Sequence, residues 1–313
     1  MKITGIDIDT VPVNHRGSWS FVHVNTDEGI GGLGELNPAG LKRGCGAILQ
    51  QMADALTGKD PRNIEQLVYS LNPSSLDYAG VLALSAIDQA LWDILGKSLN
   101  VPVHTILGGR CRDAIHVYAN INRATTDRSP EGFARNAAAA VEDGFDAIKL
   151  APFDGLQSGI DSAGDAQMGL SCMRAVRDAI GPDTGLLIDC HSHFTVRGAL
   201  AVADALRELD LFWFEEPVLY DDIAGYQEVK ERCGMTLSGA ESRQLRRGFR
   251  DVLAHEMMDV IMPDVTIVGG LGELKKVAAM AAARQLLTAP HGPFGPVIVA
   301  AQAQAMAAHP EFL

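Results

Sequence analysis

Between residues 115 and 288 the chain repeats one pattern seven times: a short apolar run followed by a stretch of helical periodicity. The runs are residues 115–119, 147–150, 185–189, 211–215, 236–239, 260–262 and 286–288, and the segments between them (132–141 and 173–180, for example) are amphipathic and alanine-rich. Repeated βα units imply a parallel sheet, because each helix returns the chain to the starting edge of the next strand. Seven in succession are too many for a typical open doubly wound half and predict an α/β fold of the (β/α)8, TIM-like barrel type. The eighth strand is missing from this reading, since the sequence stops at Pro310-Glu311-Phe312-Leu313, where that strand should begin.

The first 110 residues follow other rules. Ile3, Ile6, Ile8 and Val11 lead to a turn at 14–17, and Phe21, Val22 and Val24 lead to another at 27–29, which predicts a short antiparallel meander. Steps of three and four at Val81, Leu84, Ile87, Leu91, Ile94 and Leu95 then predict a helix with one apolar stripe. Residues 1–110 therefore read as a separate α+β domain, and 111–313 as the barrel.

Composition limits the function classes. A 47% hydrophobic content supports a large core, and a formal charge of −13 argues against nucleic acid or an anionic membrane as partner. The five cysteines are scattered without a CxxC pair, and the N-terminus carries no signal pattern, so a soluble cytoplasmic protein is expected.

In a barrel of this type the reacting groups lie at the C-terminal ends of the strands. Here those ends carry Lys149, Asp189, Glu215, Glu241, Asp264 and His291, all ionisable. The three acids Asp189, Glu215 and Glu241 are 26 residues apart, twice, so they occupy matching places on successive units. Carboxylates converging on one point need a cation between them, and oxygen ligands favour Mg²⁺, with Mn²⁺ as the alternative. Any one of these acids alone would be read as readily as a helix cap, but three in phase favour the metal.

The motifs Ala147-Ile148-Lys149, Ile188-Asp189-Cys190-His191, Phe214-Glu215-Glu216-Pro217, Gly239-Ala240-Glu241-Ser242, Met262-Pro263-Asp264, Val268-Gly269-Gly270 and Pro290-His291-Gly292 together resemble the enolase superfamily, in its mandelate racemase/muconate lactonizing enzyme-like branch. The resemblance runs the length of the chain and implies an N-terminal capping and specificity domain. It also implies metal ligation by Asp189, Glu215 and Glu241, and an Asp264–His291 base dyad. Such enzymes remove the proton next to a carboxylate, and the divalent cation offsets the charge of the resulting enolate.

The flanking residues narrow the reaction. Many relatives carry Lys-x-Lys on the second strand, whereas this chain has Lys149-Leu150-Ala151, which removes the usual second base. Asp189-x-His191 is similar to acid-sugar dehydratases of the galactonate dehydratase type, in which that histidine protonates a departing β-hydroxyl. Segments 118–123, 149–154 and 290–296 also resemble cis-3-hydroxy-L-proline dehydratases, whose reaction is likewise a β-elimination of water. The expectation is a lyase in which His291 is the base, His191 the acid and Lys149 a partner for the carboxylate of a small-molecule substrate. The loop bearing His15, Arg16 and Trp19 corresponds to the family's specificity loop and is expected to bind substrate. A homo-oligomer is expected. The competing readings are a racemase or epimerase on the same scaffold, with Lys149 or His191 as the opposite-face base, and a non-catalytic ligand-binding paralogue. Gly269-Gly270-x-Gly272 lacks the context of a phosphate loop and reads as a tight turn.

Overall fold

The computed structural model describes residues 1–14 and 17–313. Three strands come first, β1 (Ile3–Asn14), β2 (Gly17–Thr26) and β3 (Gly32–Leu36), then helices α1 (Cys45–Leu56), α2 (Ile64–Ser70), α3 (Tyr78–Leu99) and α4 (Val103–Ile106). Strands and helices then alternate: β4 (Ala119–Asn120), α5 (Pro130–Glu142), β5 (Ala147–Leu150), α6 (Gln167–Ile180), β6 (Gly185–Asp189), α7 (Val196–Leu206), β7 (Leu211–Glu215) and α8 (Ile223–Cys233). The series closes with β8 (Leu237–Gly239), α9 (Leu245–Ala254), β9 (Val260–Ile261), α10 (Leu271–Ala282), β10 (Leu287–Thr288) and α11 (Pro296–Ala307). The seven predicted runs thus all contain strands. The first is shorter and later than expected: only Ala119 and Asn120 pair, with Ile148 and Lys149, and 111–118 stay outside the ladder.

The chain divides into two compact units, Met1–Ile115 with Glu241–Arg250 and Met262–Leu313, and His116–Ala240 with Asp251–Ile261. In the first, β1, β2 and β3 form the predicted antiparallel meander. Helix α3 packs against β2, β3, α1, α2 and α10. It departs from the single stripe expected, because every residue from Ala79 to Leu91 is buried. Its polar residues inside that stretch therefore need partners. Ser85 Oγ accepts from Gly269 N at 3.0 Å, Asp88 Oδ1 accepts from Gly272 N at 3.1 Å, and Gln89 exchanges hydrogen bonds with the backbone of Glu35. The Gly-Gly turn is dictated by this docking: Gly270 has φ +92°, and a Cβ there would lie 2.3 Å from Asp88 Oδ1. Helix α3 is also long and apolar enough to cross a membrane by length and composition, but it is the buried core helix of this unit.

Also in the first unit, Phe312 forms a parallel bridge with Thr288 of β10, with Thr288 N donating to Glu311 O and Leu313 N donating to Thr288 O, both at 3.2 Å. The position read from the sequence as lacking an eighth strand is thus entered by Phe312.

In the second unit β4 to β9 lie side by side in chain order, all parallel. The register sets Lys149 opposite Leu187, Asp189 opposite Glu215, and Glu215 opposite Ser238. Side chains two apart on a strand share a face. Lys149, Leu187, Asp189, Trp213 and Glu215 therefore project from one side of this sheet.

Candidate active site

The face just described carries a buried charged cluster. Asp189 and Glu215 are 4% and 0% exposed and Lys149 is 1% exposed. Lys149 Nζ donates to Glu215 Oε1 at 2.6 Å and Oε2 at 2.8 Å, and lies 3.7 Å from Asp189 Oδ2. Trp213 Nε1 donates to Glu215 Oε2 at 2.9 Å, and Tyr118 places its ring 5.4 Å from the Lys149 ammonium. Burial works to raise the Asp189 pKa, but the Lys149 charge and His191 outweigh it and hold this carboxyl well below the usual range.

His191 stands between two carboxylates. Its Nε2 is 2.9 Å from Asp189 Oδ2 and its Nδ1 is 2.5 Å from Asp154 Oδ1, while its backbone N–H donates to Asp189 Oδ1 at 3.0 Å. Burial would lower its pKa, but the hydrogen bonds to Asp154 and Asp189 raise it to about 11.

The strand ends here are conformationally unusual. His191 (φ 45°), Ser192 (φ 57°), Glu216 (φ 40°) and Ala240 (φ 76°) all occupy the left-handed region, just beyond β6, β7 and β8. Such strain in non-glycine residues persists only where neighbours over-determine it, and it concentrates at functional sites. Glu216 is the staple: its Oε1 accepts from Ala240 N at 3.2 Å, and its backbone carbonyl accepts from Ser192 N at 2.7 Å. These contacts give Glu216 a structural role, and Cys190, next to Asp189, is fully buried.

The first unit holds the other predicted residues. Asp264 is fully buried, and its Oδ1 accepts from Thr266 N at 2.7 Å and Thr266 Oγ1 at 2.6 Å. That leaves Oδ2 for His291, whose Nδ1 is 2.8 Å away. His291 Nε2 faces Glu241 Oε2 at 3.2 Å. Gln302 Nε2 donates to the His291 carbonyl. Glu35, buried in β3, accepts through Oε2 from Val297 N and Ile298 N at 3.1 and 3.2 Å, closing the start of α11 next to the histidine loop. Burial pushes the Glu35 carboxyl up, against the opposing backbone hydrogen bonds.

The donors suit a hard divalent cation. Asp189 and Glu215 are buried carboxylates paired in register on adjacent strands, and Glu241 Oε2 is closed to solvent with no hydrogen bond among the described residues. Oxygen-only donors of this kind match Mg²⁺ or Mn²⁺ rather than a soft metal.

Trp19 lies on β2, opposite Val11, rather than in a loop, and packs edge-on against Phe21. His15 and Arg16 fall outside the described residues. The sequence reading did not single out Trp213, Asp154, Gln302 or Glu35. Trp213 had a signal, being two residues before Glu215 on one strand and so on its face; Asp154 closes the 149–154 segment, but a loop without periodicity gave no sign of its partner.

Two family models match the chain: "Mandelate racemase / muconate lactonizing enzyme, N-terminal domain" over residues 8–108 and "Enolase C-terminal domain-like" over 132–313. The D-galactonate dehydratase of Variovorax paradoxus is 35% identical over 304 residues, 96% of this chain and 77% of that protein. The D-gluconate dehydratase of Thermoproteus tenax is 32% identical over 294 residues, 93% of this chain and 59% of that protein. Among solved structures, an enolase superfamily member from Salmonella Typhimurium and a mandelate racemase/muconate lactonizing enzyme from a Jannaschia species each superpose with a TM-score of 0.91 at 30% identity, covering 100% of this chain and 86% of theirs. With family models matched over both its N-terminal and C-terminal parts, and the fold of those solved structures shared over its whole length, the chain belongs to the enolase superfamily, in its mandelate racemase/muconate lactonizing enzyme branch.

Proposed function

We propose that this protein is a hydro-lyase that removes water from an acid sugar, a small polyhydroxy carboxylate, after taking the proton next to the carboxylate. The observation that carries this reading is His191, an imidazole held between Asp154 and Asp189, in a chain about a third identical to D-galactonate dehydratases. Asp189, Glu215 and Glu241 are the ligands for one Mg²⁺, with Mn²⁺ as a substitute. A cation there would offset the negative charge that builds on the substrate carboxylate as the proton leaves.

The protein's own groups do the rest. His291 Nε2 takes the α-proton; Asp264, on Nδ1, fixes the ring tautomer and stabilises the imidazolium. Lys149 offsets the substrate carboxylate. His191 delivers its proton to the departing β-hydroxyl, which leaves as water. Residues 1–110 serve as the capping and specificity domain, with His15, Arg16 and Trp19 as its substrate-binding residues, and 111–313 as the catalytic barrel. The enzyme works in the cytoplasm as a homo-oligomer.

The test is a screen of aldonic and aldaric acids and cis-3-hydroxy-L-proline with Mg²⁺, scored by keto-acid formation and by α-deuterium uptake from D₂O. An acid sugar should give the keto product, and His191→Asn should abolish water loss while sparing deuterium uptake. Deuterium uptake without water loss in the wild type would favour a racemase or epimerase, and metal binding without either reaction would favour a ligand-binding paralogue.

A further inference from the structure

Asp154 lies in the loop after β5, at the end of the 149–154 segment, and meets two other loops. Its Oδ1 holds His191 Nδ1 at 2.5 Å, from the loop after β6. Its Oδ2 accepts from Asn122 Nδ2 at 2.9 Å, from the loop after β4, and lies 3.5 Å from Arg128 Nη2. Arg128 is itself fixed, donating to the Asn122 side chain at 2.5 Å and to the Ala151 carbonyl at 2.6 Å, with its guanidinium 4.8 Å above the Phe133 ring. One carboxylate oxygen is thus anchored by a braced pair, and the other is left for the imidazole.

This arrangement resembles the one at His291, where Thr266 anchors one oxygen of Asp264 and the other takes the ring nitrogen. A carboxylate on one imidazole nitrogen fixes which way the ring faces and what its other nitrogen can do. His191 needs such a support: its backbone is left-handed and its side chain is 38% exposed, so neither packing nor strand geometry locks the ring.

We propose that Asp154 is the positioning residue for His191: braced by Asn122 and Arg128, it holds Nδ1 so that Nε2 keeps its bearing toward Asp189 and the leaving hydroxyl. The catalytic part of this proposal rests on the lyase reading above. The anchoring part does not.

Two measurements on the full chain test it, using Asp154→Ala and the conservative Asp154→Asn, which retains an acceptor of the same size. In the first, the ratio of water loss to α-deuterium uptake is followed on the aldonate found by the screen. Misplacing a reacting group costs about 10- to 100-fold. Asp154→Ala should lower water loss by that factor with deuterium uptake within about twofold, and Asp154→Asn should recover most of the loss. A parallel fall in both reactions would reduce Asp154 to a general structural role and overturn the proposal, as would no change in either. The second measurement needs no substrate: ¹⁵N NMR of the His191 ring. Asp154→Ala should move the Nδ1 resonance away from that of a strongly hydrogen-bonded N–H, and Asp154→Asn should restore part of the shift. An Nδ1 signal unchanged in Asp154→Ala overturns the proposal even if the wild type dehydrates acid sugars. A shifted signal in a wild type that dehydrates nothing supports the anchor while the lyase reading falls.

Discussion

Lys149 Nζ lies 2.6 and 2.8 Å from the two carboxylate oxygens of Glu215, with all three atoms in the interior. Asp189 is only 3.7 Å from the same ammonium, so one lysine serves two buried acids. Breaking a buried pair leaves a charge uncompensated, which costs about 3–5 kcal/mol. Lys149→Met should lower the stability of the metal-free protein by that order, read from urea unfolding in EDTA. Adding Mg²⁺ should restore part of the loss, because a ligand held only by the native state stabilises it. A variant as stable as the wild type in EDTA would count against the arrangement.

Asp264→Asn tests the dyad. An amide on His291 Nδ1 cannot stabilise the protonated ring and favours the wrong tautomer. General base contributions run to about 10²–10⁴-fold. Deuterium uptake at the substrate α-carbon, followed by ¹H NMR, should fall by this factor with the circular dichroism spectrum unchanged. Uptake at the wild-type rate would remove His291 from the base role.

Asp88 supplies a pH prediction. Burial pushes its carboxyl from 3.8 up to about 7, in spite of hydrogen bonds from Gly272 and Leu271. The folded protein therefore binds a proton more tightly than the unfolded chain between those values. The stability this group contributes is present below the lower value and is lost as pH rises through about 7. Unfolding free energies of wild type and Asp88→Asn at pH 5 and pH 8 check it. The wild type should lose more on going to pH 8; equal slopes would refute the linkage.

Gly270→Ala should destabilise the fold. The position has φ +92°, and the new Cβ would sit 2.3 Å from Asp88 Oδ1 and 2.4 Å from Asp88 Cβ. Backbone strain of this kind costs about 1–3 kcal/mol before the clash is counted. Placing Gly270→Ala in an Asp88→Gly background, which removes the Cβ as well as the carboxylate, should relieve the clash and leave the strain. A double-mutant cycle by urea unfolding separates the two terms.

Much of this was legible in the sequence because it depends on period and phase. The βα rhythm placed the strands of Asp189 and Glu215 to the residue, since parallel strands buried on both faces are written as short apolar runs. Burial around α3 was less legible. A periodic stripe shows which face must be covered, but not that Ser85, Asp88 and Gln89 are buried too, because their partners lie on distant segments. The role of Asp154 was not legible for a related reason: it comes from three loops meeting, and loop geometry leaves no repeat to read. The hairpin loop over 14–19 was drawn too long, because β2 already begins at Gly17 and pairs Trp19 within the ladder.

The docking of α3 onto the 269–272 turn has a consequence for how the chain reaches this state. Ser85 and Asp88 find their partners 184 residues later in the sequence. Contacts of such separation form slowly, and although Ser85 Oγ also donates to Val81 O within the helix, the buried Asp88 carboxylate lacks its Gly272 partner until that residue has been synthesised. An early collapse of the first hundred residues would therefore stay loose around that face of α3. The amides of Gly269 and Gly272 should gain protection from hydrogen exchange only late in refolding, together rather than one after the other, as the segment between Asp264 and His291 locks into place.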